Sequence, residues 1–173
     1  MKNNTKMLTE AGVMIALAQV LSYVKLFQLP QGGSVTLGSM VPIILFSATW
    51  GGKYGLIASF IYGIFQFMFG GFILNPLSIL LDYIIAFGVL GIVGFFPKTL
   101  RGTLVGSTIA ILIRFVCHFL SGWLIFGFYA PDNLAPWLYS LQYNSFVFVE
   151  LVITLIIIAA VYKPYMNFKK LHH

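Results

Sequence analysis

The sequence is poor in charged residues, which make up only 8% of its 173 positions. A soluble globular domain carries about 25% charged and 45–50% apolar residues. Here 60% of the residues are hydrophobic, and they occur in long runs. This scarcity of charge excludes an ordinary soluble domain and predicts an integral membrane protein.

Cysteine and catalytic motifs are scarce as well. Cys117 is the one cysteine, which excludes an intrachain disulfide and any metal site built from several cysteines. The sequence contains no His-Glu-x-x-His, Gly-x-Ser-x-Gly or Walker motif. We therefore predict no catalytic residues, no metal site and no cofactor, and the chain has no nucleotide-binding element with which to hydrolyse ATP.

Turn-forming residues divide the apolar sequence into six segments, and each segment predicts one membrane-spanning helix. The second and third segments are shorter than the ~20 residues that a full span normally requires. The predicted fold class is an all-α membrane protein with six transmembrane helices, in which residues 1–173 form a single integral-membrane domain. The six segments are Leu8–Val24, Leu37–Trp50, Tyr54–Phe69, Leu77–Phe95, Thr103–Phe126 and Pro136–Val161.

Lysine and arginine are distributed unevenly between the connecting loops. With a cytoplasmic N-terminus, eight of them fall in inside segments and only Lys25 falls outside, while Arg114 lies within the fifth span. Cytoplasmic loops carry such an excess, so both termini are predicted to be cytoplasmic. The net charge of +6 is then explained by loops that face anionic lipid, and we predict the lipid bilayer, not nucleic acid, as a partner.

Asp82 lies inside the fourth apolar segment, where an ionisable side chain costs about 2.5–3.5 kcal/mol on insertion scales. Such a residue indicates a functional site, and a carboxylate favours a cationic ligand or a proton. Arg114 could neutralise it, but Glu150 on the neighbouring sixth span lies closer to Arg114 in depth. We therefore predict a structural Arg114–Glu150 pair, which leaves Asp82 without a protein cation.

Polar residues from three other spans fall in the same outer slab as Asp82. At 1.5 Å per residue, His118 and Asn144 lie about 12 Å below the outer surface, Tyr139 lies about 5 Å below it, and Gln66 is nearby. Buried polar groups need partners, so we predict that these residues meet in a cavity open to the outside. Taken singly, Tyr139 fits an interfacial residue equally well, and Asn144 and His118 fit helix–helix contacts.

Aromatic residues make up 17% of the chain, and many lie at the outer ends of the spans. Aromatic walls around one carboxylate suit a flat organic cation, although the interfacial belt takes some of these residues. The Gly-rich loop Leu29–Ser39 is predicted to be a flexible lid over the cavity. The outer aromatic residues are Phe69, Phe72, Tyr83, Trp123, Phe126, Phe128, Tyr129, Trp137 and Tyr143.

Small residues recur four positions apart on the first span, at Gly12 and Ala16. This spacing lets a second helix approach closely. The residues alone leave two partners open: another span of this chain, or another protein.

Four stretches of the sequence are specific in combination: Leu29–Leu37, Leu80–Tyr83, His118 with Ser121-Gly122, and Tyr139–Asn144. With the length and the six spans, they resemble the thiamine-specific substrate-binding subunits (S-components) of energy-coupling factor vitamin transporters, the ThiT family. The resemblance covers nearly the full chain.

The resemblance implies that the protein captures thiamine in a cavity near the outer face of the cell membrane. It also implies that Gly12 and Ala16 contact a transmembrane coupling subunit, which works with two ATPase subunits. The substrate-binding residues that it implies are Asp82, Tyr83, His118, Gly122, Phe126, Tyr139 and Asn144.

Three alternatives remain at this point. The chain could be an S-component for another vitamin, or a self-sufficient proton-coupled transporter of aromatic cations with Asp82 as the proton carrier. The third alternative is an intramembrane enzyme that uses Asp82 and His118. The lack of a second carboxylate or a metal triad at that depth argues against the enzyme.

Overall fold

A computed structural model of the protein describes residues 2–29 and 33–171, with side chains from Asn4 onward. Residues 30–32 of the predicted lid and the terminal residues 172–173 lie outside this range. The helices are α1 Lys2–Ser22, α2 Val41–Trp50, α3 Gly52–Met68, α4 Pro76–Phe95, α5 Leu100–Leu124, α6 Pro136–Tyr143 and α7 Phe146–Leu171. Two short strands, β1 Lys25–Gln28 and β2 Ser34–Thr36, complete the fold.

The predicted all-helical membrane fold is confirmed, because helices occupy all six predicted segments. Pro76–Phe95, Leu100–Leu124 and Pro136–Leu171 are each long and apolar enough to cross a bilayer. A tight turn joins the second and third helices, and Gly51 adopts a left-handed φ of 91° there. Glycine adopts this conformation without a steric penalty.

Helix α2 is short and lies in the middle of the bundle. Its residues Val41–Ala48 are all buried, and it packs against α1, α3, α4, α5 and α7. A helix that is hydrophobic on every side is typical of such a central position. Ten residues give a length of about 15 Å, and the β1–β2 hairpin lies beyond its N-terminal end.

Helix α4 changes its geometry along its length. A capping box begins the helix, in which Ser78 donates its backbone N–H to the Asn75 side chain at 3.0 Å. The segment Leu80–Ile85 is a π-helical turn, and the helix ends as a 3₁₀ segment, Val89–Phe95. π turns occur frequently at functional sites, and this one carries Asp82.

Glycines allow α4 to pack directly against the backbone of α3. A Cβ atom on Gly91 would lie 2.3 Å from the backbone nitrogen of Leu56, and one on Gly94 would lie 2.4 Å from the backbone of Gly51. Both distances are too short for any side chain. The close contact fixes the position of α4, and with it the π turn, relative to the bundle.

The loop between α1 and α2 forms an antiparallel hairpin, where the sequence predicted an irregular flexible loop. Phe27 pairs with Val35 and Gln28 pairs with Ser34. Val35 is fully buried, whereas β1 is exposed along its length. The hairpin is therefore held in place by its second strand.

Polar contacts join the first and last helices at the end of the bundle away from this hairpin, which we call the basic end. Glu10 on α1 accepts a hydrogen bond from Tyr165 at 2.5 Å and forms an ion pair with Lys169, both on α7. Lys169 also lies 4.5 Å from the centre of the Trp50 ring, and Lys98 donates to the Thr49 carbonyl at 2.8 Å. Both ends of the described chain therefore lie on one side of the bundle.

Candidate functional site

A cavity of about 170 Å³ lies at the hairpin end of the bundle, which we call the cavity end. A single water needs roughly 10–15 Å³ of such space, so the cavity has room for a small organic molecule. Its walls come from α1, the hairpin, α3, α4, α5, α6 and α7. All seven residues predicted to bind substrate line it: Asp82, Tyr83, His118, Gly122, Phe126, Tyr139 and Asn144.

The Asp82 carboxylate is bonded through both of its oxygens to helix α5. His118 Nδ1 lies 2.9 Å from Oδ1, and the Ser121 hydroxyl donates to Oδ2 at 2.5 Å. The sequence predicted that Asp82 has no protein cation as its partner. Its partners are one imidazole and one hydroxyl, and in the described chain no lysine or arginine forms an ion pair with it.

His118 presents a second nitrogen that no group in the described chain satisfies. Its Nε2 is buried and has no hydrogen-bond partner there, while Nδ1 is engaged by Asp82. A buried polar atom without a partner is costly. His118 lines the cavity, although Nε2 itself is buried.

Asn144 lies at the break between α6 and α7 and uses its amide nitrogen within the protein. The Nδ2 atom donates to the Ser140 carbonyl at 2.9 Å and to the His118 carbonyl at 3.2 Å. Because Nδ2 is the donor in both hydrogen bonds, the amide group of Asn144 is held in one orientation. Asn144 is thereby held at the cavity wall next to the histidine.

Gly122 brings α6 against α5 at the level of the cavity. A Cβ atom there would lie 2.3 Å from the Ser140 hydroxyl and 3.0 Å from Asn144 Nδ2. Ser140 in turn donates to the Phe119 carbonyl at 2.7 Å. The glycine thus makes room for the polar contacts that hold Asn144.

Aromatic rings form two walls of the cavity. Phe72, Phe126 and Tyr129 form one series, with ring centres 5.9 and 6.3 Å apart. The second series is Tyr139, Tyr143 and Phe146, with spacings of 5.9 and 6.5 Å. These spacings are typical of interacting aromatic pairs.

The outer aromatic residues separate into two groups. Phe69, Phe72, Tyr83, Phe126, Tyr129 and Tyr143 line the cavity, whereas Trp123, Phe128 and Trp137 are exposed on the outside of the bundle. The second group fits an interfacial belt. Tyr83 also fixes the loop before α4, because its hydroxyl accepts from the Phe72 backbone nitrogen at 2.7 Å.

The predicted Arg114–Glu150 pair is confirmed. Arg114 Nη1 donates to Glu150 Oε2 at 2.6 Å, and both side chains are buried. The guanidinium also lies 4.7 Å from the centre of the Phe87 ring. Both residues line the cavity, so the pair is part of its wall.

The sequence missed two residues that complete these polar contacts. Ser121 follows His118 by three positions, which places both on one helix face, and that spacing was the available signal. Thr36 bonds Glu150 through its backbone nitrogen and its hydroxyl. Nothing in the local sequence indicates this contact, because the two residues lie 114 positions apart.

Gly12 and Ala16 are exposed on α1. A Cβ atom on Gly12 would meet no atom within 4 Å. Within the part of the chain that the structure describes, no other span packs on Gly12, so this motif does not serve a contact inside the bundle.

The fold and the cavity define a multi-pass membrane protein that holds a small molecule between its helices, a membrane-embedded solute-binding protein. Among residues 2–29 and 33–171, no group of three His, Cys, Asp or Glu side chains could hold a metal ion. The chain belongs to the thiamine transporter protein family, whose model matches residues 8–170. This family consists of transporters, which confirms that the protein is not an enzyme.

Two relatives are similar to this chain over most of its length. The thiamine transporter ThiT of Bacillus subtilis (strain 168) is 36% identical in an alignment that covers 88% of this chain and 91% of that protein. The thiamine transporter ThiT of Lacticaseibacillus paracasei is 29% identical over 153 residues, covering 79% and 76%. The resemblance stated from the sequence is thereby confirmed.

The structure of ThiT from Listeria monocytogenes has a TM-score of 0.83 at 23% identity and covers 95% of this chain and 97% of its own. A protein described as the S component of a bacterial ECF transporter has a TM-score of 0.65 at 18% identity, covering 96% and 99%. At these identities the likeness shows a shared fold.

Proposed function

We propose that this protein is a substrate-binding subunit that captures thiamine from outside the cell and delivers it through an ATP-driven energy-coupling factor transporter. The proposal rests on one observation above all, the Asp82 carboxylate held inside an aromatic cavity. Membership of the thiamine transporter family supports thiamine as the ligand.

The two rings of thiamine match the chemistry of the cavity. The thiazolium ring is a permanent cation, and the aminopyrimidine ring offers hydrogen-bond donors and acceptors. Asp82 supplies the negative charge, and the rings of Phe126 and Tyr139 offer stacking and cation–π attraction. His118 and Asn144, which both line the cavity, supply hydrogen bonds to the ligand.

Tyr83 and Gly122 contribute to binding through their positions in the wall. The Tyr83 hydroxyl holds the loop at Phe72, whose ring is part of one aromatic wall. Gly122 allows α6 to approach α5, which places Asn144 beside His118. We propose that substitutions at these two positions weaken thiamine binding by displacing their neighbours.

The proposed direction of capture places the cavity end outside the cell and both termini in the cytoplasm. The basic end carries the lysines that contact α1, α2 and α7, and an excess of positive charge marks the cytoplasmic side. Residues 1–173 then act as one membrane domain, with the cavity in its outer half.

ATP-driven transport requires a partner, because the sequence contains no nucleotide-binding motif. We propose that a transmembrane coupling subunit docks on the exposed face of α1 at Gly12 and Ala16, and that two ATPase subunits drive it. The similarity of fold to an S component of a bacterial ECF transporter supports this arrangement.

Calorimetric titration of the purified protein in detergent tests the ligand. We expect saturable one-to-one binding of thiamine and no binding of riboflavin or biotin. Riboflavin or biotin binding in place of thiamine would assign the protein to another vitamin. ATP-independent thiamine transport by liposomes that contain this chain alone would instead identify a self-sufficient transporter.

A further inference from the structure

Glu150 is buried in the wall of the cavity and joins three elements. It is 2% exposed, and its Oε2 accepts from Arg114 on α5 at 2.6 Å. Its Oε1 accepts two further bonds from Thr36, from the backbone nitrogen at 3.1 Å and from the hydroxyl at 2.9 Å. A single carboxylate on α7 therefore connects α5 to the end of strand β2.

The hairpin forms one wall of the cavity. Gly33, Ser34 and Thr36 all line it, and Thr36 is buried. At the start of β2, Gly33 donates its backbone N–H to the Tyr143 hydroxyl at 3.3 Å. The bonds to Glu150 are shorter and are made to a carboxylate, and such charge-assisted bonds are roughly twice as strong as neutral ones.

The Glu150 carboxylate accepts more hydrogen bonds than a structural ion pair with Arg114 requires. A buried pair often contributes no more stability than apolar side chains of the same volume, and Arg114 occupies only one of the two carboxylate oxygens. The other oxygen is used entirely by the hairpin. The position of the hairpin wall therefore depends on Glu150.

We propose that Glu150 is a positioning residue that fixes the β1–β2 hairpin against bound ligand through Thr36, while Arg114 holds Glu150 in place. This inference rests on the proposed thiamine-binding function. Loosening the anchor lets the wall move away from the ligand, so it speeds ligand release. Association changes little, because differences between closely related complexes lie mostly in the dissociation rate.

The substitution Thr36→Val tests the anchor, because it removes the hydroxyl donor and keeps the shape and the backbone N–H. Radiolabelled thiamine is bound to the purified protein and chased with excess unlabelled thiamine. We expect the dissociation rate to rise about tenfold, as for the loss of one hydrogen bond to a charged group, with an association rate within about twofold of the unchanged protein. Thr36→Ser, which keeps the hydroxyl, should restore slow dissociation.

A control separates positioning from a general loss of stability. Thr108→Val removes a threonine hydroxyl that donates to the Leu104 carbonyl within α5. Thr108 does not line the cavity, so this substitution should leave dissociation unchanged.

Two results would overturn the inference. One is an unchanged dissociation rate in Thr36→Val, and the other is an equal acceleration in Thr108→Val, which would indicate a general loss of stability. Failure of the unsubstituted protein to bind thiamine would refute the proposed function itself. This outcome differs from a failure of the Glu150 inference, because it is seen before any substitution is made.

Discussion

At the scale of single residues, the charge of Asp82 is stabilised from one side only. His118 and Ser121 both approach it from α5, and the residue lines the cavity. A carboxylate held in this way is preorganised for a cation, because its local bonds are complete before the ligand arrives.

Asp82→Asn should weaken thiamine binding by about 10–100-fold, since a hydrogen-bonded contact to a charged group contributes about 1.5–3 kcal/mol. Calorimetric titration measures the change. Asp132→Asn is the matched control, because Asp132 is an exposed carboxylate that does not line the cavity. Equal affinities in Asp82→Asn and the unsubstituted protein would remove Asp82 from the cation site.

Ser121→Ala should weaken thiamine binding about tenfold, because it removes one of the two bonds that orient the Asp82 carboxylate. Ser107→Ala on the same helix serves as the control, since the Ser107 hydroxyl bonds only the Thr103 carbonyl. The substitution should weaken the binding of a neutral thiamine isostere, which lacks the thiazolium charge, less than it weakens the binding of thiamine itself. An equal loss of affinity for both ligands would indicate that Ser121 has only a packing role.

At the scale of elements, the site depends on irregular features in otherwise regular helices. The π turn Leu80–Ile85 carries Asp82, the break between α6 and α7 carries Asn144, and Gly122 brings α6 against α5. Each irregularity places a polar side chain where a straight apolar helix would have none.

Gly122→Val tests this close packing. The larger side chain would collide with Ser140 and Asn144, so α6 should move away from α5 and thiamine binding should fall at least tenfold, as overpacking costs typically 1–3 kcal/mol. Gly12→Val is the control, because it meets open space. Retained affinity in a Gly122→Val protein of normal thermal stability would show that α6 tolerates displacement.

The sequence predicted some of these elements and not others, for physical reasons. Hydropathy and the glycine and proline breaks predicted the six helices, because lipid demands long apolar runs with satisfied backbones. The cost of a buried charge identified Asp82, and depth identified His118 and Asn144. The hairpin, the π turn and the Thr36–Glu150 bonds depend on contacts between distant residues, which local patterns do not encode.

At the scale of the whole molecule, the two ends of the bundle have separate tasks. The cavity end holds the ligand site, and the basic end carries the charged contacts between α1, α2 and α7. Helix α1 reaches both ends, since Gln19 and Ser22 line the cavity and Glu10 lies in the basic cluster. Its exposed small-residue face lies between them.

Gly12→Trp should abolish thiamine uptake by cells that contain the complete transporter and leave thiamine binding to the purified protein within about twofold. The bulky ring fills the groove into which a partner helix would pack without touching the cavity. Val152→Trp, at an exposed position on α7, should spare both uptake and binding. Normal uptake by Gly12→Trp would show that the coupling subunit docks elsewhere.

The contact between Glu10 and Lys169 has a consequence for how the protein is made. The two residues are 159 positions apart in the chain, so the first helix enters the membrane long before its partner has been synthesised. Until the last turns of α7 emerge, Glu10 lacks both Tyr165 and Lys169. The contact between α1 and α7 therefore forms only when α7 is complete, although α1 also packs against α2 and α3, which are made earlier.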